Sequence, residues 1–404
     1  MMLIVVLHRD VAMKRYILFL FMSCLFGMPS CAMPEFPDIQ GTNIYDCAAT
    51  EVLPDICREK RDLTLDEAAS RLGNELKVWW RDGDRFTVIA RSKAKVVNLC
   101  CAIQLPMARL PGSDIWTLTV RSPHLNKAIL DIKLITPYDT SLGYAQIAEE
   151  KWGQWRGPEA LSAPQESPVL MGRVVSRDLN SPDLGEMRRV YIYLPPDFDA
   201  QKRYPVVYMA DGESVPASAR IAEPLILQGK IRPMVLIGLV AGRFSNGHDR
   251  RGEDYLTGFG KTSTFTQHEA FFLTEVMPMA EKEYGVSANA QDRMLSGRSN
   301  GGAWALDTAL RHPDMFSKSA AFSVCWQKSG RGIDQAKRPA LFMGVGVFEG
   351  SCRTVTTRLA AEAMQSEDPV VFRQVVSGHT PLMWNLLFAQ ALQWAFPATD
   401  PSVQ

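Results

Sequence analysis

The sequence predicts a large α/β domain built on a mainly parallel sheet, preceded by a smaller all-β domain. Three observations carry this expectation. From about residue 170 onward, near-continuous apolar runs alternate with amphipathic segments, as strands buried on both faces alternate with covering helices. Between about residues 76 and 137 the runs are short, β-like and separated by turn residues. A glycine-rich turn, Gly297-Arg298-Ser299-Asn300-Gly301-Gly302, lies between a strand pattern and a helix pattern. The chain has 404 residues, 46% of them hydrophobic, enough for two or three domains and a sizeable core. Lys+Arg and Asp+Glu balance at 44 each, which excludes the electrostatic footprint of a general nucleic-acid binder.

Taken in chain order, the first element is an export leader over residues 1–32. Lys14 and Arg15 form its basic start, residues 16–27 its apolar stretch, and Ser30-Cys31-Ala32 a small-residue exit before Met33. Met13 is an alternative start. The apolar run is too short to span about 30 Å of hydrocarbon, so no membrane span is expected once the leader is removed. The implied location is periplasmic or secreted, where disulfides persist. Six cysteines remain after the leader. Cys47 and Cys57 are placed to close a short loop, and Cys325 and Cys352 each follow a strand at one end of a sheet. Cys100 and Cys101 are neighbours on one strand, which should point them to opposite faces and keep them unbonded. No CxxC or His-rich spacing suggests a metal.

After an N-terminal segment over residues 33–74, the runs LKVWW, RFTVIA, KVVNLCCAIQL, DIWTLTV and AILDIKLI read as a β-sandwich of immunoglobulin-like size over residues 75–150. Residues 151–169, rich in Pro, Gly and small residues, read as a linker. The catalytic domain follows over residues 170–398. Its strands are RRVYIYLP, YPVVYMA, MVLIGLV, RMLSG, KSAAFSV, ALFMGVGV and VVFRQVV; helices such as AFFLTEVMPMAEKEYG, GGAWALDTALRHP and TTRLAAEAMQS lie between them.

A strand–GxSxG–helix turn exposes its serine in a strained conformation, with glycines permitting the tight bend, so Ser299 is the candidate nucleophile. A serine hydroxyl needs a base, and the base an orienting carboxylate, in chain order Ser, acid, His. Of the two histidines after Ser299, His312 ends the helix that the nucleophile starts, whereas His379 follows the last strand. His379 is therefore the candidate base. Among the carboxylates between Ser299 and His379, Glu349 follows an apolar strand and is the candidate acid, with Asp334 in reserve. Backbone amides for an oxyanion should come from Asn300 and from Gly212 or Glu213, in the loop after YPVVYMA. Arg250 and Arg251 have two readings, binding a substrate anion or pairing with Glu253 to order their loop. Trp384 either lines the pocket or packs in the core.

The chain resembles the enterochelin (ferric siderophore) esterase family, in the esterase D-like branch of the α/β-hydrolases. WWRDGDRFTVIARS, PMARLPGSDIWTLTV, WGQWRGPEALSAP, RRVYIYLPPDF, YPVVYMADGE, RGEDY, FLTEVMPMAEKEYG and GRSNGGAWALDTALRHPDMF follow in the family's order. The resemblance implies the same triad, with Glu349 in GVFEG, and a small-molecule ester as partner without any cofactor. The base loop departs from the family's usual Gly-Gly-His-Asp, since Ser377 and Thr380 flank Gly378-His379. The same fold also carries feruloyl and acetyl-xylan esterases, so the fold alone does not name the substrate. A carbohydrate esterase using the sandwich as a binding module, and a non-catalytic binding protein, are the alternatives.

Overall fold

The computed structural model describes residues 46–47, 55–61, 63–137, 144–146, 153–245, 247–326, 338–367 and 369–398. The expected leader over residues 1–32 and the reserve acid Asp334 lie outside them.

One eight-stranded sheet dominates: β1 (Arg173–Ser181), β2 (Glu186–Leu194), β3 (Val206–Ala210), β4 (Val235–Leu239), β5 (Arg293–Arg298), β6 (Lys318–Phe322), β7 (Ala340–Gly346) and β8 (Val370–Val375). Their spatial order is β1-β2-β4-β3-β5-β6-β7-β8. β2 runs antiparallel to both neighbours, and every pairing from β4 through β8 is parallel. The sheet is therefore mixed, with a parallel body and one antiparallel edge.

Both faces are covered, which is why the central strands read as unbroken apolar runs. Along β3, Val207 and Met209 face one core with Tyr193, Leu236 and Leu387, while Val206, Tyr208 and Ala210 face another with Phe271, Phe272 and Trp304. The first face is closed by helices α1 (Val215–Leu227) and α5 (Pro381–Ala395), which lie against each other. Helix α2 (Arg251–Tyr255) packs against α3 (Asn300–Arg311) over the second core, and α4 (Gly350–Ala363) lies on β7. Parallel strands connected in this way bring their C-terminal ends to one edge.

Ahead of this sheet lie two five-stranded antiparallel sheets. One joins Cys57–Glu59, Ile115–Arg121, Arg85–Arg91 and Lys77–Asp82, with Ala108–Arg109 also on Ile115–Arg121; the other joins Gly153–Arg156, Ile129–Pro137, Asn98–Cys101 and Leu105–Pro106, with Tyr144–Gln146 also on Ile129–Pro137. Phe86, Val88 and Leu118 of the first share a core with Leu99, Leu130 and Ile132 of the second. Two expectations are corrected here. The segment read as linker begins as a strand, Gly153–Arg156, which pairs with residues 129–132, and its half-buried Trp155 packs on Phe86 with tilted rings whose centroids lie 5.1 Å apart. Cys100 and Cys101 are joined in a disulfide: the peptide between them is cis and brings their Cα atoms to 3.1 Å, so the alternation of an extended strand does not hold there. The Cys47–Cys57 and Cys325–Cys352 pairs are formed. Among the described residues, no helix is long and apolar enough to cross a membrane.

Candidate active site

The site is assembled at the C-terminal ends of β3, β5, β6, β7 and β8. Ser299 directly follows β5 with φ 55° and ψ −126°, a region that L-residues avoid. The surrounding glycines are sterically required. A Cβ on Gly297 would lie 2.0 Å from the Gly301 carbonyl oxygen; on Gly301, 2.7 Å from Ala210 Cβ; and on Gly302, 2.6 Å from the Phe322 carbonyl oxygen. The Ser299 amide donates to the Phe322 carbonyl at 2.9 Å, which fixes the turn to the end of β6.

Glu349 and His379 are brought together by the loops after β7 and β8. His379 Nδ1 lies 2.5 Å from Glu349 Oε1, with the carboxylate side chain fully inaccessible to solvent. The other oxygen, Oε2, accepts from the Gly346 amide at 2.6 Å and from Ser323 Oγ at 2.8 Å. Three partners thus converge on the buried Glu349 carboxyl and satisfy both of its oxygens. With Nδ1–H donating to Glu349, the lone pair of His379 is on Nε2, the tautomer that a base requires. The Ser299 hydroxyl makes no hydrogen bond among the described residues; bonds of this kind often tighten only when substrate is present.

Trp384 both lines the site and belongs to the core. Its ring stands edge-on to His379 with centroids 4.7 Å apart, and its Nε1 donates to Ser323 Oγ at 2.8 Å. Trp384, Ser323, Glu349 and His379 therefore form a closed ring of contacts. Ser323 sits in a left-handed conformation (φ 52°) directly after β6, outside any motif, and sequence reasoning missed it. The base loop is also buttressed by the N-terminal sheets. Ser377 Oγ donates to the Ile129 carbonyl at 2.6 Å, Ile129 N donates to the Val376 carbonyl at 2.8 Å, and a Cβ on Gly378 would lie 2.0 Å from the Ala102 carbonyl oxygen.

The loop after β3 turns at Asp211 (φ 57°), and Gly212 is pressed against Gly238, whose carbonyl oxygen would be 2.5 Å from a Cβ. Neither the Asn300 nor the Gly212 amide donates to a backbone acceptor among the described residues. Glu213, the other candidate donor, is exposed.

Neither Arg250 nor Arg251 is a spare cation, and neither pairs with Glu253. Arg251 grips Asp211 with two bonds, at 2.6 and 2.9 Å, and Arg250 donates to Glu186. Tyr255 accepts from the Asp211 amide at 3.1 Å and donates to the Leu239 carbonyl at 3.1 Å. Asp254 pairs with Arg188 at 2.8 Å, out of reach of solvent. The RGEDY stretch thus holds the β3 loop in shape, through partners 40 or more residues away in sequence. Cys325, Cys352 and His379 cluster closely enough for a metal, but both sulfurs are already joined to each other.

Comparison with known proteins gives the family and the fold. The sequence matches the family described as "Putative esterase" over residues 181–394, more than half of the chain. It is 28% identical to the uncharacterized protein YjcH of Bacillus subtilis over 190 residues, covering 45% of this chain and 76% of that protein. It is 29% identical over 151 residues to an endo-1,4-beta-xylanase/feruloyl esterase of Xylanibacter ruminicola, covering 34% of this chain and 19% of that one. In structure it is similar to the ferric enterobactin esterase of Salmonella typhimurium (TM-score 0.61, 16% identity), over 81% of this chain and 98% of the other. The Shigella flexneri enterobactin esterase crystallised with enterobactin matches with a TM-score of 0.61 and 17% identity, over 81% of this chain and 97% of the other. At such identity these two structures establish the fold, and the family match establishes the class: the chain belongs to this esterase family and is a carboxylic ester hydrolase.

Proposed function

We propose that the protein is an exported serine esterase in which Ser299, His379 and Glu349 act as nucleophile, general base and orienting acid. The observation that carries this reading is the 2.5 Å bond between His379 and buried Glu349, on the sheet edge where Ser299 is held at positive φ. Ser299 Oγ attacks the ester carbonyl as His379 Nε2 takes its proton. The imidazolium formed is stabilised by Glu349 and returns the proton to the departing alcohol. Water, deprotonated by His379, then releases the acid from the acyl-enzyme. The oxyanion is held by the Asn300 amide and by Gly212, with Glu213 the other candidate, at the N-terminus of α3. No cofactor enters these steps.

The N-terminal part is read as an immunoglobulin-like sandwich, supported by the core its two sheets share. Its bonds to Val376 and Ser377 and its close packing on Gly378 support a role beside the site and argue against a detachable binding module. The leader pattern supports a periplasmic or secreted location, with a small-molecule ester as partner and no nucleic acid. The likeness to enterobactin esterases extends over 81% of the chain, both parts included, and favours esters of the siderophore kind. A feruloyl ester is the second reading, favoured by the Xylanibacter relative, an endo-1,4-beta-xylanase/feruloyl esterase.

The test is steady-state turnover of p-nitrophenyl acetate, then of a triscatechol ester against a feruloylated sugar. Ser299→Ala should lower turnover by about 1,000-fold or more. A mutant that hydrolyses as fast as wild type would remove Ser299 from the chemistry.

A further inference from the structure

We propose that a cleft beside Ser299, between α1, α5 and the end of β5, is a subsite for a carboxylate carried by the substrate, with Arg298 as its cation. The proposal rests on the ester-hydrolase reading of Ser299 and names a feature of its substrates.

The cleft is lined by Ser214, Ser218, Arg298, Trp384 and Asn385, among others. Most charged side chains near the site have a partner. Arg251 is taken by Asp211, Arg250 by Glu186 and Arg188 by Asp254. The Arg298 side chain makes no ion pair or hydrogen bond with any described residue; its guanidinium lies over the Trp384 ring, whose centroid is 5.3 Å from Cζ. Burial lowers the pKa of this guanidinium, Asp211 offsets part of that through space and Arg251 adds to it, so no direct counter-charge holds the cation. Its neighbour Asp211 is already neutralised in bidentate fashion by Arg251.

The polar groups that line the cleft with Arg298 are equally idle. The hydroxyls of Ser214 and Ser218 and the amide of Asn385 make no side-chain hydrogen bond among the described residues. Each can donate, and a guanidinium presents a planar fork of donors that fits a carboxylate on two bonds. Such a set, floored by an indole, accepts an anionic oxygen group, whereas a methyl group in its place leaves the guanidinium without an acceptor. Trp384 also touches His379, so the cleft adjoins the base.

The experiment compares kcat/KM for two esters of equal length, mono-p-nitrophenyl adipate with its free carboxylate and p-nitrophenyl hexanoate with a methyl end. It uses wild type, Arg298→Gln and Arg298→Lys, and all three are labelled in parallel with a fluorophosphonate. The adipate-to-hexanoate ratio should fall by about 10- to 100-fold in Arg298→Gln, the scale of a charge-assisted hydrogen bond, and recover in part in Arg298→Lys. In wild type the ratio should also fall as salt is raised. A second measurement needs no variant: benzoate should slow labelling of wild type at concentrations where benzamide does not. An equal ratio in wild type and Arg298→Gln, or equal protection by benzoate and benzamide, overturns the subsite. A wild type that neither labels nor hydrolyses either ester overturns instead the reading of Ser299 on which it rests.

Discussion

Replacing Ser323 by alanine should damage the site without touching any member of the triad. Its hydroxyl is fully buried, accepts from Trp384 Nε1 at 2.8 Å and donates to Glu349 Oε2 at 2.8 Å. Removing it takes one donor from an ionised carboxylate, about 1.5–3 kcal/mol, and leaves an indole N–H unpaired, about 1–3 kcal/mol. Both bonds meet at one atom, so they do not add, and about 3 kcal/mol is the expected loss. That corresponds to a melting point lower by about 6–12 °C. Glu349 would keep its 2.6 Å bond from Gly346 N, but with less restraint on where it holds His379. A roughly 10- to 100-fold drop in kcat is expected, with KM little changed. The control is Ser319→Ala on β6, the strand that leads into Ser323; its buried hydroxyl donates to the Ala305 carbonyl at 3.0 Å, away from the site. It should lose stability but stay within about twofold of wild-type kcat. Thermal melts and p-nitrophenyl butyrate kinetics on both variants decide the matter. If Ser323→Ala loses no more kcat than Ser319→Ala, the contact ring does not hold the acid in place.

Three further predictions follow from other parts of the site and core. The Cys325–Cys352 bond closes a 27-residue separation between the Ser323 segment and the first turn of α4, so Cys325→Ser/Cys352→Ser should lose about 3–4 kcal/mol by chain entropy; urea melts that coincide with wild type would contradict this. Gly378→Ala would drive a Cβ into the Ala102 carbonyl oxygen and push the base loop off the N-terminal sheets, costing at least about tenfold in kcat/KM; wild-type kinetics would show that the sheets do not position His379. His268 is buried without a hydrogen-bond partner, and burial lowers its pKa from 6.5 to about 4. The unfolded chain therefore binds its proton first, so the stability this neutral ring contributes is present above pH 6.5 and is lost as pH falls from 6.5 toward 4. Between pH 7 and pH 5 wild type should lose about 2 kcal/mol more than His268→Phe, read from denaturant melts at the two pH values; equal losses would mean the ring is not held neutral.

The parts of this protein that could be read from sequence are those whose cause is local. The GRSNGG turn is one, because each glycine answers to an atom within a few residues or one strand away. The buried parallel strands are another, since burial on both faces writes itself as an apolar run. Strand β1 gave no such signal, because it is an edge strand with mostly exposed side chains and only one neighbour. Helix α1 was hidden by Pro224 inside it and a second proline in its first turn. Partnerships across the chain were not legible at all. Nothing near Arg251 points to Asp211, and nothing near Ser323 points to Glu349 and Trp384. Arg298 was in plain view within the motif, but that it has no ion pair among the described residues becomes visible only once Asp211 is seen to be held by Arg251. The expectation for Cys100 and Cys101 assumed an ordinary extended strand, and a single cis peptide removed that assumption.

The central claim is that Ser299 is the nucleophile, activated by His379. The most direct measurement is intact-mass analysis after fluorophosphonate treatment of wild type, Ser299→Ala and His379→Ala. One adduct on wild type, mapped to the peptide containing Ser299, absent from Ser299→Ala and formed far more slowly on His379→Ala, is the predicted result. A folded wild type that takes up no adduct, or an adduct that persists in Ser299→Ala, would contradict it.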